Sequence, residues 1–118
     1  MPSLFPPEQR IIRSMLVEKF GPNSPVLDRI PSLEFETRQM TGTGYYVNFS
    51  NAKDLPPINT LNTELSEDLR TTLAAPCDFV GFTLFIRNGY LESFEGYTFG
   101  DVGWPDGLME DWLIFDAA

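Results

Sequence analysis

Apolar residues recur every three to four positions near the start of the chain, which is the spacing of one face of an α-helix. This spacing predicts a helix from about Pro7 to Phe20, opened by prolines and ended by Gly21 and Pro22. The apolar positions are Ile11, Ile12, Met15, Leu16 and Phe20. Charged residues lie largely off this stripe, so the segment is typical of an amphipathic helix that covers a sheet.

Beyond residue 32 the period changes to two. Leu33, Phe35 and Thr37 alternate with polar residues that end at Arg38, which predicts a strand with one buried face. A glycine-containing turn at 41–44 follows, and Tyr45 to Phe49 alternates in the same way. The two segments predict a first hairpin.

A second hairpin is predicted from Phe79 to Phe99. Phe79 to Ile86 is almost continuously apolar, as in a central strand buried on both faces. Asn88-Gly89 then forms a two-residue turn into a strand from Tyr90 to Phe99. Strict alternation along that strand places Glu92 and Glu95 on opposite faces, which excludes an acid–base pair unless a bulge intervenes.

In two further segments the spacing of apolar residues is less regular. Ile58 to Leu73 combines leucines at helical spacing with several threonines, and we prefer a short strand near Leu61 to Leu65. Trp112 to Phe115 is a short apolar strand or turn. With no repeat or linker, the chain is expected to form one α+β domain over 1–118, in which an N-terminal helix packs on an antiparallel sheet of four to five strands.

Residue usage excludes several kinds of catalysis. The 118-residue chain has no histidine and one cysteine, Cys77, so Ser-His-Asp and Cys-His chemistry and ordinary zinc sites are ruled out. We predict no cofactor, metal or catalytic residue. Cys77 is interpreted as a structural thiol without a base.

Charge limits the partners. The formal net charge is −9, which argues against binding to nucleic acid or to an anionic membrane. With no signal-like or membrane-spanning apolar run, we expect a cytoplasmic protein. After Arg87 the chain has no lysine or arginine but seven acidic residues.

One candidate site lies near the end of the first strand. Glu95 has apolar neighbours on its own side of the predicted strand, so a partly buried carboxylate would need a partner, and Arg38 is the candidate. Tyr45 and Tyr97 complete this structural or ligand-binding group.

A second candidate is a surface near the C-terminus. Aromatic residues beside charge are common at protein interfaces and also in small cores. The candidate interface consists of Asp101, Trp104, Asp106, Glu110 and Asp111.

Two blocks carry a resemblance to known sequences. Residues 38–46 read Arg-Gln-Met-Thr-Gly-Thr-Gly-Tyr-Tyr, and residues 89–98 read Gly-Tyr-Leu-Glu-Ser-Phe-Glu-Gly-Tyr-Thr. The chain resembles a group of small uncharacterised bacterial proteins that share these blocks over about half of its length. The resemblance implies a bacterial source and a single domain, and it carries no catalytic residue.

These observations predict a non-enzymatic interaction protein with an acidic face, which binds a basic partner as an immunity protein binds its toxin. The alternative is a small ligand-binding protein or a carboxylate-based enzyme with a pocket near Arg38 and Glu95.

Overall fold

The protein is represented by a computed structural model that describes residues 3–71, 79–99, 103 and 114–117, with the backbone alone at 69–71, 79 and 114–117. Within these residues the elements are helix α1, two 3-10 helices and six strands. Their bounds are α1 Pro6–Phe20, 3-10 helices Pro25–Ser32 and Ala52–Asp54, β1 Phe35–Met40, β2 Gly44–Phe49, β3 Asn62–Thr71, β4 Phe79–Arg87, β5 Tyr90–Thr98 and β6 Ile114–Ala117.

The predicted helix is confirmed and begins one residue earlier, at Pro6. Proline suits the first turn of a helix because its missing N–H would have no partner there. At the other end, Gly21 has φ +86 and its N–H donates to the carbonyl oxygen of Val17. The apolar stripe of α1 is buried, and two of its residues, Ile12 and Leu16, are fully enclosed.

The strands form one sheet in the order β1-β2-β5-β4-β3-β6, and every described ladder is antiparallel. This confirms the predicted class, an N-terminal helix on an antiparallel sheet. Five longer strands form the sheet predicted from sequence, and the short β6 adds a sixth at the edge beside β3.

Both predicted hairpins are present. Asn88 and Gly89 have φ values of 54 and 86, the left-handed conformation that a two-residue turn between β4 and β5 requires. In the first hairpin Gly42 has φ 90, while Gly44 is needed for space, because a Cβ there would lie 2.1 Å from the carbonyl oxygen of Gly96. The segment that the sequence left open between strand and helix is strand β3.

The core lies between α1 and one face of the sheet, which we call the inner face. Side chains that point to this face along β2, β4 and β5 are buried, and they include Tyr45, Val47, Phe82, Leu84 and Phe94. The longer 3-10 helix closes one side of the core with Val26, Leu27 and Ile30. Among the described residues no helix is long and apolar enough to span a membrane.

Candidate functional site

The four residues predicted to form one site lie on two different faces of the sheet. Arg38 pairs with Val47, which pairs with Phe94, so Arg38 faces α1 with the core. Glu95 pairs with Tyr46 and Thr83 and therefore points to the opposite side, which we call the outer face. The predicted ion pair between Arg38 and Glu95 is wrong.

A β-bulge explains the direction of Arg38. Phe35 pairs with Phe49 and Arg38 with Val47, so three steps along β1 match two steps along β2. The extra residue reverses the alternation, and Arg38 falls on the same face as Phe35 rather than the opposite one. Thr37, which the simple alternation placed inside, is exposed.

The actual partner of Arg38 is Glu8 in the first turn of α1. The Arg38 guanidinium donates to both carboxylate oxygens, with Nη1–Oε2 at 2.5 Å and Nη2–Oε1 at 2.9 Å. The Tyr45 hydroxyl donates to Glu8 Oε2 at 2.6 Å, and the Phe5 backbone N–H donates to Oε1 at 2.9 Å. Four donors thus converge on one carboxylate, whose side chain is 0% exposed.

Aromatic rings enclose the guanidinium. The Arg38 Cζ lies 4.7 Å from the ring centroid of Phe5, 4.8 Å from that of Phe35 and 5.1 Å from that of Tyr45. All three distances fall within the range of cation–π attraction. The Arg38 side chain is only 13% exposed, so the ion pair is shielded from water and salt.

The environment changes the acidity of both partners of Glu8. Burial raises the pKa of the Tyr45 hydroxyl well above its ordinary value of 10.0, and the charge of Glu8 and its hydrogen bond raise it further. Burial alone would lower the pKa of Arg38, but the hydrogen bonds and charge of Glu8 raise it overall. Both groups therefore keep their protons throughout the physiological range.

This cluster is built to hold the fold rather than to react. Its carboxylate is fully enclosed and already accepts four hydrogen bonds, and its phenol is held in the protonated form. A buried carboxylate and guanidinium without this geometry would be strongly destabilising. The cluster ties the first turn of α1 to strands β1 and β2.

Glu8 was missed at the level of sequence, although a signal was available. Counting forward from Glu8, Ile11, Ile12 and Met15 lie three, four and seven positions later, the spacing of a single helix face. Glu8 therefore belongs to the apolar stripe by position. A carboxylate on that stripe requires a buried cation.

Glu95 and Tyr97 belong to the outer face. Burial raises the pKa of Glu95, and the charge of Glu64 on β3 raises it further. The Tyr97 ring lies over Gly81 of the neighbouring strand, where an added Cβ would be 2.4 Å from the ring. Tyr97 also packs edge-on against Phe99, with ring centroids 5.9 Å apart.

A second bulge corrects the predicted neighbours of Glu95. Phe85 pairs with Ser93 and Ile86 with Leu91, so Glu92 is an extra residue in β5. Leu91 is consequently buried in the core rather than aligned with Glu95. Glu92 forms an exposed ion pair with Arg87, with Nε and Oε2 3.7 Å apart.

The candidate interface near the C-terminus lies outside the described residues, as does Cys77. The residues concerned are Asp101, Trp104, Asp106, Glu110 and Asp111. Within the described ranges, no group of three or more cysteine, aspartate or glutamate side chains is arranged to hold a metal ion.

Comparison with known proteins adds no relative: no family model, no curated protein and no solved structure matches the chain.

Proposed function

We propose that the protein is a non-enzymatic interaction module that binds a basic protein partner through its acidic outer face. The observation that carries this proposal is the composition of that face. Register places three carboxylates on it, namely Glu64, Asp68 and Glu95, and a fourth, Glu92, lies beside them in an ion pair with Arg87. Where side chains are described, the single cation on this face is Arg87.

Arg87 neutralises little of this charge. Its nitrogen atoms lie 3.7 Å from Glu64 and 3.7 Å from Glu92, and all three side chains are substantially exposed. Exposed pairs of this length are screened by water and contribute about 0–1 kcal/mol. Because one guanidinium stands against four carboxylates, the described part of this face stays negative, which would attract a basic partner and raise its association rate.

Aromatic side chains supply the apolar part of the proposed interface. Tyr46, Phe85 and Tyr97 are partly exposed on the outer face, and Phe99 is 46% exposed beside them. Partly exposed aromatic rings surrounded by polar residues are frequent in the centres of protein interfaces.

Fewer observations support the alternative, a ligand-binding protein or carboxylate-based enzyme that uses Arg38 and Glu95 together. Those two residues face opposite sides of the sheet, and Arg38 is already bound by Glu8. We also propose that the protein comes from a bacterium and is cytoplasmic. It would belong to the group of small bacterial proteins whose two sequence blocks it resembles.

The test uses two charge-neutralised variants that differ in location. The outer-face variant combines Glu64→Gln, Asp68→Asn and Glu95→Gln. The control combines Glu18→Gln, Asp28→Asn and Asp54→Asn, which remove the same charge from exposed positions outside the sheet. A partner captured from lysate of the source organism is purified, and its association rate with each variant is measured at several salt concentrations.

We expect the outer-face variant to associate at least about tenfold more slowly at low salt, with a weaker salt dependence. The control variant should lose much less. Equal losses in both variants would assign the effect to net charge alone, and unchanged association in both would refute the proposal. A third variant, with Asp101, Asp106, Glu110 and Asp111 changed to amides, measures the contribution of the C-terminal residues.

A further inference from the structure

A separate cleft lies on the other side of the molecule, between the first turns of α1 and the longer 3-10 helix. Its volume is about 390 Å³. This falls within the range of small-ligand sites, about 300–1,000 Å³. Four apolar residues form much of its lining, namely Pro6, Leu27, Ile30 and Pro31.

Two arginines border this cleft, and neither is paired with a carboxylate of the described residues. Arg10 forms no hydrogen bond or ion pair with the described residues, and Arg13 donates only to the Leu27 carbonyl oxygen, at 3.3 Å. That bond directs the Arg13 guanidinium across the gap towards the 3-10 helix. Because residues three apart share one side of a helix, both cations border the same opening.

The charge of the cleft contrasts with that of the chain. The net charge is −9, yet half of the eight lysines and arginines lie within the first 29 residues. Among the residues whose side chains are described, Asp28 is the single carboxylate that lines the cleft. Two arginines against one aspartate leave a local positive charge beside an apolar lining.

We propose that this cleft binds a small organic monoanion, a carboxylate on a short apolar body. The apolar lining would take the body, and Arg10 and Arg13 would hold the carboxylate. A guanidinium presents its N–H donors in a planar fork that matches the two oxygens of a carboxylate. Asp28 disfavours a dianion, because a second negative charge would lie near its carboxylate.

The test compares three probes that share one apolar chain and differ in the head group: octanoate, octyl phosphate and octanol. Binding is measured by titration calorimetry, and the site is mapped by shifts of the backbone N–H signals of residues 8–13 and 27–30. We expect octanoate to bind more tightly than octyl phosphate, and octanol to bind at least about tenfold more weakly, since a charge-assisted hydrogen bond is roughly twice as strong as a neutral one. Comparable binding of octanol would overturn the proposal.

Single substitutions test which charged residues of the cleft act on the bound carboxylate. Arg10→Gln is expected to weaken octanoate binding about tenfold, the loss of one hydrogen bond to a charged group. Asp28→Asn should tighten it. Arg29→Gln, an exposed arginine of the same 3-10 helix that does not line the cleft, should leave it unchanged.

Thermal unfolding of each variant checks that the fold is retained. We expect it to be, since Arg10, Asp28 and Arg29 are all exposed. Octanoate binding that Arg10→Gln leaves unchanged would refute the site. Amide shifts confined to other parts of the chain would refute it as well. Binding to phosphatidylglycerol vesicles without binding to octanoate would also contradict the proposal and point to a lipid surface instead.

Discussion

The Glu8–Arg38 ion pair offers the sharpest test of how this fold is held together. Replacing Arg38 with Met removes both hydrogen bonds from the guanidinium but keeps an unbranched apolar side chain among the three rings. The Glu8 carboxylate then remains at 0% exposure with only the Phe5 N–H and the Tyr45 hydroxyl as donors. Removing one partner of a buried pair costs about 3–5 kcal/mol.

That loss is large for a domain of this size. The free energy of unfolding of a small domain is about 5–15 kcal/mol, so Arg38→Met would remove a substantial fraction of the stability. With a urea dependence near 2 kcal/mol per molar, the midpoint of unfolding should fall by about 2 M. The assay is urea unfolding at pH 7, followed by circular dichroism.

Arg87→Met is the matched control, because it deletes the same kind of side chain from two exposed ion pairs 3.7 Å long. Each of the two pairs contributes about 0–1 kcal/mol, so Arg87→Met should cost no more than about 2 kcal/mol. Glu8→Gln combined with Arg38→Met should be less destabilising than the sum of the two single changes, since the buried charge is then absent. If Arg38→Met costs no more than Arg87→Met, the reasoning fails.

Three further outcomes follow from the buried groups and the glycines. The pKa of Tyr45 is raised well above 10.0, so the difference between absorbance titrations of the wild type and of Tyr45→Phe should show Tyr45 ionising only on unfolding. Because its folded pKa is raised, the contribution of Tyr45 to stability is fully present below about pH 10 and is lost as the pH rises through the folded pKa. Burial and the charge of Glu18 raise the pKa of Glu67, and its Oε2 is buried without a hydrogen-bond partner among the described residues. Glu67→Gln should therefore stabilise the protein at pH 7 but not below about pH 4 in urea unfolding. Gly44→Ala should destabilise more than Gly42→Ala, because the first meets backbone at 2.1 Å while the second meets open space and costs only about 1–2 kcal/mol of left-handed strain in the same assay.

Each of these has its own control and its own contradicting result. Glu64→Gln, at a largely exposed carboxylate of the same strand, should not reproduce the pH-dependent gain of Glu67→Gln. A gain of equal size at pH 4 and pH 7 would show that the proton on Glu67 is irrelevant. Tyr45→Phe should remove the phenol that ionises only on unfolding, and ionisation of Tyr45 in the folded protein would contradict the raised pKa. Gly42→Ala costing more than Gly44→Ala would contradict the predicted clash.

The positions of α1 and of the β4–β5 turn could be predicted from the sequence because they depend on local patterns of residues. Apolar spacing located α1 to within one residue, and Asn88-Gly89 located the β4–β5 turn, since few other dipeptides adopt positive φ twice at low cost. The antiparallel α+β class then follows, because a one-sided helix and strands of alternating polarity can bury their apolar faces only against each other.

The candidate site was beyond such reasoning for a specific reason. Two β-bulges, one before Arg38 and one at Glu92, each insert a residue into a strand and reverse which side chains face the core. Because the side-chain period of a strand is two, a single insertion is enough to move Arg38 from the outer to the inner face. Polarity gives no warning of this, since Arg38 is charged on either face.

Sequence alone therefore determined where α1 and the strands of the two hairpins lie, how acidic the chain is and which chemistries its residues exclude. Only the tertiary structure decided that Arg38 binds Glu8, a residue 30 positions away, while Glu95 lies on the opposite face beside other carboxylates. The physical reason is range: local propensity acts over a few residues, whereas the partner of a buried charge depends on register and packing across the whole sheet.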